Sequence, residues 1–232
     1  MLQSKITKEE VNQLPVIIFE GKIMLVDDLS KIHPAIEKLR KATIIGIDTE
    51  TKPSFTRGTH HKVSLVQLST LDHCFLFRLN FIDFPVALAE LLSDEKIAKI
   101  GLSLRDDLNG LNKLHRFKPG NCIDIQTIIR NYGILELGLQ KIYAILFGKK
   151  ISKSQRLTNW ESPELTEQQQ RYAATDAWAS LQIYLQLMNE RKLSKKEMDA
   201  LLIQHALEQT MLHEQRMLEK QQESASNEPT IN

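Results

Sequence analysis

Apolar residues along this chain recur in two periods. Residues 43–49, 63–68 and 74–77 are short runs rich in β-branched and aromatic residues, and they predict three strands. The loops between them are short enough for antiparallel pairing. Residues 97–100 and 121–125 predict a fourth and a fifth strand, with helical periodicity near 84–93, 104–115, 126–132 and 138–147. A long helix is expected from Thr166, where Thr166-Glu-Gln-Gln169 fits a capping box, to about Arg191. Three adjacent strands followed by strands alternating with helices predict an α/β fold. Its core is a mixed five-stranded sheet, three antiparallel strands and then parallel ones, flanked by helices. A further strand within residues 16–26 is assigned to an N-terminal extension, residues 1–40, packed on a domain of residues 41–193. No internal repeat is visible.

The stretch from about Lys195 to Gln222 has no Gly or Pro and many helix formers, so residues 194–222 predict a C-terminal helix. Its uneven apolar stripe (Met198, Leu201, Leu202, Leu207, Met211, Leu212, Met217 and Leu218) offers a surface for packing back on the body, for self-association or for docking a partner. Residues 223–232 read as a disordered tail.

Composition sharpens this outline without naming a function. The 232 residues carry 30 Lys+Arg and 29 Asp+Glu, a formal charge of +1, and are 42% hydrophobic, enough for one domain with an appendage. Two cysteines, Cys74 and Cys122, supply neither a disulfide framework nor a four-cysteine zinc site. The N-terminal ten residues lack an apolar h-region, and no run approaches the roughly 20 apolar residues that span a bilayer. A cytoplasmic protein without membrane attachment is expected. The near-neutral total excludes a strongly basic nucleic-acid coat but not a local patch. From residue 194 onward the net charge is −3, and before it +4.

Three motifs carry candidate chemistry. In Ile47-Asp48-Thr49-Glu50, residues two apart on a strand share a face, so Asp48 and Glu50 are neighbours. Such carboxylates repel unless a cation lies between them. Taken alone, the pair fits a solvated strand end equally well. In the segment 101–111, Leu104, Leu108, Leu111 and His115 form one helical face. Asp107 lies at its edge and Asp106 on the opposite side, so Asp107 points inward and needs a partner. In Tyr172-Ala-Ala-Thr-Asp176 the i, i+4 spacing sets phenol and carboxylate one turn apart on the buried face, with small alanines allowing close approach. Alone, that pair also fits a core tyrosine beside a hydrogen-bonded aspartate.

In this order and on these elements, the three motifs resemble the DEDDy group of 3′–5′ exonucleases, which have a ribonuclease-H-like fold. Residues 62–68, Leu157-Thr-Asn-Trp160 and residues 165–176 are similar to ribonuclease D and to the exonuclease domain of the Werner syndrome helicase. The resemblance runs from about Val16 to Lys192. It implies hydrolysis of phosphodiester bonds from a free 3′ end, single-stranded or recessed, with release of nucleoside 5′-monophosphates. It also implies two Mg²⁺ or Mn²⁺ ions about 4 Å apart, as all-carboxylate sites favour. Asp48 would bridge both ions, Glu50 and Asp176 would complete the water-activating site, and Asp107 would hold the second ion. Tyr172, with an ordinary pKa near 10, would orient the water rather than act as a strong base. The wording of the last motif favours DNA over RNA. The rival class is a ribonuclease-H-like module that binds nucleic acid or docks protein without cutting.

Substrate contact would come from residues 137–160, which contain no Asp or Glu but hold Lys141, Lys149, Lys150, Lys153 and Arg156. Lys153 and Arg156 are the strongest individual candidates, with Thr49, Thr51 or Leu104 at the terminal nucleotide. A lip within 52–62, with Arg57, Gly58, His60 and His61, lies where it would touch the strand. The adjacent histidines are not counted as metal ligands. Asp83 and Asp124 read as helix caps, and Trp160 as packing beneath the last helix.

Overall fold

The structure is a computed structural model that describes residues 2–56, 58 and 61–226. The chain forms two units, the first ending at Arg191 and the second beginning at Lys192. The first opens with α1 (Lys8–Gln13), closed by a reciprocal cap between Thr7 and Glu10. Strand β1 (Val16–Ile17) then pairs in parallel with the much later β8 (Lys150–Ile151). The main sheet comprises β2 (Lys22–Val26), β3 (Ile44–Thr51), β4 (Val63–Ser69), β5 (His73–Arg78), β6 (Ala98–Gly101) and β7 (Cys122–Asp124). Their order is β2-β5-β4-β3-β6-β7. The β3–β4–β5 meander is antiparallel, and β2, β6 and β7 join in parallel.

The sheet is mixed, as expected, but has six strands rather than five. The additional strand, β2, lies in the segment read as an N-terminal extension and pairs along the free edge of β5. Alternation marks a strand but not the edge it will join. Helices α2 (Ile32–Leu39), α3 (Leu79–Ile82), α4 (Val86–Ser93), α5 (Leu104–Leu114), α6 (Ile125–Ile128), α7 (Leu139–Phe147) and α8 (Glu167–Met188) cover it. No helix was expected before residue 40, so α1 and α2 add to the prediction. The capping box at Thr166 is present.

Alternation divides the sheet between two cores. Leu65, Leu76 and Ile100 pack with Trp160, Trp178 and the α7–α8 side. Ile45, Ile47, Val66, Leu68 and Phe77 pack with α2, α4 and α5. The α8 alanines Ala173, Ala174 and Ala177 are fully buried, and α8 lies directly on the sheet. At Gly46 a Cβ would collide with the backbone carbonyl of Ala177, so β3 and α8 touch backbone to backbone.

The second unit is α9 (Lys195–Ser226), with Leu202, Ile203, Leu207, Met211 and Met217 exposed. Of the tail read as disordered, residues 223–226 continue α9 and 227–232 lie outside the described residues. Arg57 and His60 of the expected lip also lie outside them. Among the described residues, no helix is long and apolar enough to cross a membrane.

Candidate metal and nucleic-acid site

Strand β3 begins apolar and ends charged. Ile45 and Ile47 face the α5 side, so Gly46, Asp48 and Glu50 face α8. The register with β4 shifts between Glu50 and Thr51, a bulge of the kind that re-aims side chains at a strand end. From α8, Asp176 approaches the same point. One oxygen from each of Asp48, Glu50 and Asp176 lies within 4.8 Å of the others.

Three buried or half-buried carboxylates this close cannot all be charged cheaply without a cation. Burial is the largest cause of the shift in each. It lifts Glu50 to about 8, with Asp176 and Asp107 adding repulsion and Arg156 opposing. It lifts Asp176 to about 7 against the pull of the Tyr172 hydroxyl and the Lys153 ammonium. Asp48 is raised well above the carboxylate range by burial, then by Asp176, Asp107 and Glu50.

Asp107 comes from the other face of the sheet. Leu104 and Leu111 bury one side of α5, Asp106 is exposed and Asp107 half-buried, as helical phase predicts. Thr49, pointing away from Asp48 and Glu50, donates its hydroxyl hydrogen to Asp107 Oδ1. Burial raises Asp107 to about 6 while this bond opposes the rise. Asp107 stands outside the three-carboxylate cluster, yet its charge reaches Asp48 and Glu50. The strand end is therefore flanked by carboxylates from both layers.

Asp124 sets the start of α5. It caps α6 as expected, accepting from the Gln126 amide at 2.9 Å. It also accepts from the Ser103 amide at 3.0 Å and the Leu104 amide at 2.9 Å. One carboxylate thus satisfies otherwise orphaned amides of two helices. It fixes the turn from which Asp107 projects.

Tyr172 lies one turn before Asp176, its ring 5.9 Å from that of the fully buried Trp160. The loop carrying Trp160 is clamped. Arg78 donates to the carbonyls of Ser162 and Pro163, Gln169 Nε2 donates to Thr158 Oγ1 at 3.1 Å, and Lys52 pairs with Glu161 at 3.6 Å. Burial, then the charges of Asp176 and Glu50, push the phenol far above the usual tyrosine range.

Of the expected substrate contacts, Lys153 and Arg156 are exposed and close enough for their charges to act on Asp176 and Glu50. Thr51 is exposed at the strand end. Thr49 directs its hydroxyl to Asp107, and Leu104 is only 2% exposed, its side chain in the core. Leu104 is therefore withdrawn from the surface of the site, whereas Thr49 is half-buried. Gln67 was not anticipated. It lies directly across from Asp48 on β4, is fully buried, and neither its amide oxygen nor its nitrogen has a hydrogen-bond partner among the described residues. The available signal was a lone amide within an apolar strand.

The family model described as 3′–5′ exonuclease matches residues 23–192. Among curated relatives, the mouse bifunctional 3′–5′ exonuclease/ATP-dependent helicase WRN is 30% identical over 189 residues, covering 77% of this chain and 13% of that one. The Aedes aegypti exonuclease mut-7 homolog is 25% identical over 213 residues, covering 81% of this chain and 29% of that one. The chain therefore spans less than a third of either relative. Among solved structures, Escherichia coli RNase D superposes with a TM-score of 0.65 at 26% identity, over 72% of this chain and 44% of that one. The Aedes aegypti Nibbler EXO domain gives a TM-score of 0.66 at 24% identity, over 81% of this chain and 99% of that one, a likeness of fold. On this match, which spans the strand, helix and late-helix motifs together, the chain belongs to the 3′–5′ exonuclease family.

Proposed function

We propose that this chain hydrolyses phosphodiester bonds of DNA or RNA one at a time from a free 3′ end, using divalent metal and releasing nucleoside 5′-monophosphates. The observation that carries this reading is the convergence of Asp48, Glu50 and Asp176 within 4.8 Å, with Asp107 on the far side of the same strand end. An all-oxygen, mutually repelling donor set suits hard cations such as Mg²⁺ or Mn²⁺. Asp48, influenced by all the others, is the candidate to bridge two ions. Glu50 and Asp176 would complete one site and Asp107 the other.

Divalent cations bound there would offset phosphate charge, acidify the attacking water and stabilise the leaving 3′-oxygen. The chain's own groups do the rest. The Tyr172 phenol, whose ordinary pKa near 10 suits a hydrogen-bonding group better than a strong base, orients the water. Lys153 and Arg156 hold phosphate oxygens beside the carboxylates.

The test uses 5′-labelled single-stranded DNA and RNA 12-mers with Mg²⁺ or Mn²⁺. The wild-type chain should give a ladder shortening from the 3′ end, and the two sugars side by side establish the preference. Asp48→Ala and Asp176→Ala should abolish hydrolysis, whereas Tyr172→Phe should slow it about 10–100-fold at an unchanged metal midpoint. Full activity in either alanine variant would sink the assignment. Binding without any ladder would favour a non-cutting module.

A further inference from the structure

Two clefts border the β1–β8 ribbon, each with one candidate site residue in its wall, Tyr172 in the first and Lys153 in the second. One, of about 430 Å³, includes Tyr172, Arg171 and Ile18 in its walls. The other, of about 500 Å³, includes Lys8, Lys141, Lys150 and Lys153. Val16, Ile151 and Ser152 belong to both, so the ribbon is a wall common to the two clefts. The second cleft runs from Lys153, three residues before Arg156, toward Lys8 of α1.

One wall of that cleft is built from residues that precede the family match, which begins at residue 23. The segment is firmly attached. Ile6 and Val11 pack on Ala144 of α7. The Leu135 amide donates to the Ser4 carbonyl at 2.8 Å, and the Lys150 amide to the Pro15 carbonyl at 2.9 Å. The Ile6 amide donates to Glu136 at 3.4 Å.

Among the described residues, four lysines and no carboxylate line the cleft. Lys141 is paired with Glu136 at 2.9 Å, and the Lys150 ammonium donates to the Asn12 carbonyl. Lys8 is exposed, and its neighbour Glu10 is turned back onto Thr7. Val16 and Ile18, 55% and 47% exposed, supply an apolar edge. Cations along a channel with apolar surface at its rim suit an unpaired strand, whose phosphates and base faces are both accessible.

We propose that α1 and β1, with β8, form a guiding track for the single-stranded stretch immediately 5′ of the nucleotide being removed. Lys8, Lys150 and Lys153 follow the phosphates, and Val16 lies against a base. The proposal rests on the exonuclease reading and adds a length dependence to it. A dinucleotide engages the carboxylates and Lys153, and only a longer strand reaches Lys8.

The experiment compares full-length wild type with Lys8→Glu and Lys8→Gln on a dinucleotide and a single-stranded 12-mer of the preferred sugar. For Lys8→Glu, the loss in kcat/KM on the 12-mer should exceed that on the dinucleotide about fivefold or more, through KM. For Lys8→Gln, the slope of log kcat/KM against log salt on the 12-mer should weaken by about 0.7, the value for one lost contact to a single strand. Equal losses on both lengths, or no loss on the 12-mer, would overturn the track. If wild type cuts neither substrate, the nuclease reading fails instead. Fluorescence anisotropy of the labelled 12-mer in EDTA then decides the track alone: weaker binding by Lys8→Glu supports it and equal binding overturns it.

Discussion

Thr49 lies between two candidate ligands in sequence yet points to the opposite side of the sheet, where its hydroxyl holds Asp107. It is a positioning residue, tying the carboxylate from α5 to the strand that carries the other pair. Thr49→Val keeps the shape and removes the donor. Outer-shell losses of this kind typically weaken metal affinity or activity about 10–100-fold. The expected result is a higher Mg²⁺ or Mn²⁺ concentration at half-maximal rate, restored by Thr49→Ser; an unchanged metal titration in Thr49→Val would remove this role. At this scale the sequence was informative wherever one element's periodicity decided the matter. Helical phase separates exposed Asp106 from inward Asp107, and strand alternation sets Asp48 beside Glu50. It was silent where two elements meet. The bonds from Asp124 to a helix start about 20 residues earlier, and the position of Gln67 opposite Asp48, depend on pairings that no local pattern encodes.

Between elements, the contact of β3 with α8 is decisive. The obstruction at Gly46 is the Ala177 carbonyl, which cannot rotate aside as a side chain can. Gly46→Ala should therefore destabilise the fold by about 1–3 kcal/mol, the usual range for overpacking. Gly138→Ala, where an added Cβ meets nothing within 4 Å, serves as the control. Urea denaturation of both variants measures the difference, and similar midpoints would show that the two layers can part without cost. Helix α8 was legible because its start signal and its small-residue face are local. The short α2 was not, since Pro34 resembles a breaker, although in a first turn its missing N–H costs little. The edge taken by β2 was also hidden, because β5 offers a pairing edge only after the meander has formed.

Across the whole molecule, the charge of +1 conceals a body of +4, a C-terminal segment of −3 and four carboxylates gathered at one strand end. Their folded pKa values lie above the unfolded values of about 4, so the folded chain binds protons more tightly than the unfolded one. The resulting stability is complete below about pH 4. It is lost as pH rises through about 6 for Asp107, about 7 for Asp176 and about 8 for Glu50. The lowered values of Glu10, Asp28 and Asp72 act in the opposite sense, but only below the ordinary carboxylate range near pH 4. In EDTA, Tm should fall between pH 5 and pH 9, and millimolar Mg²⁺ or Mn²⁺ should raise it more at pH 8 than at pH 6. Calorimetry in the two buffers checks this, and equal stabilisation at both pH values would contradict it.

The two sides of β3 are held by unlike means: backbone pressed on backbone toward α8, and side chains, with the Thr49 hydroxyl on Asp107, toward α5. This implies a stiff seat beside a compliant one. Mg²⁺ requires oxygens at about 2.0–2.1 Å, whereas Ca²⁺ takes about 2.3–2.6 Å. A seat that cannot widen would discriminate by ionic radius, so Asp48, Glu50 and Asp176 would hold Mg²⁺ in preference to Ca²⁺.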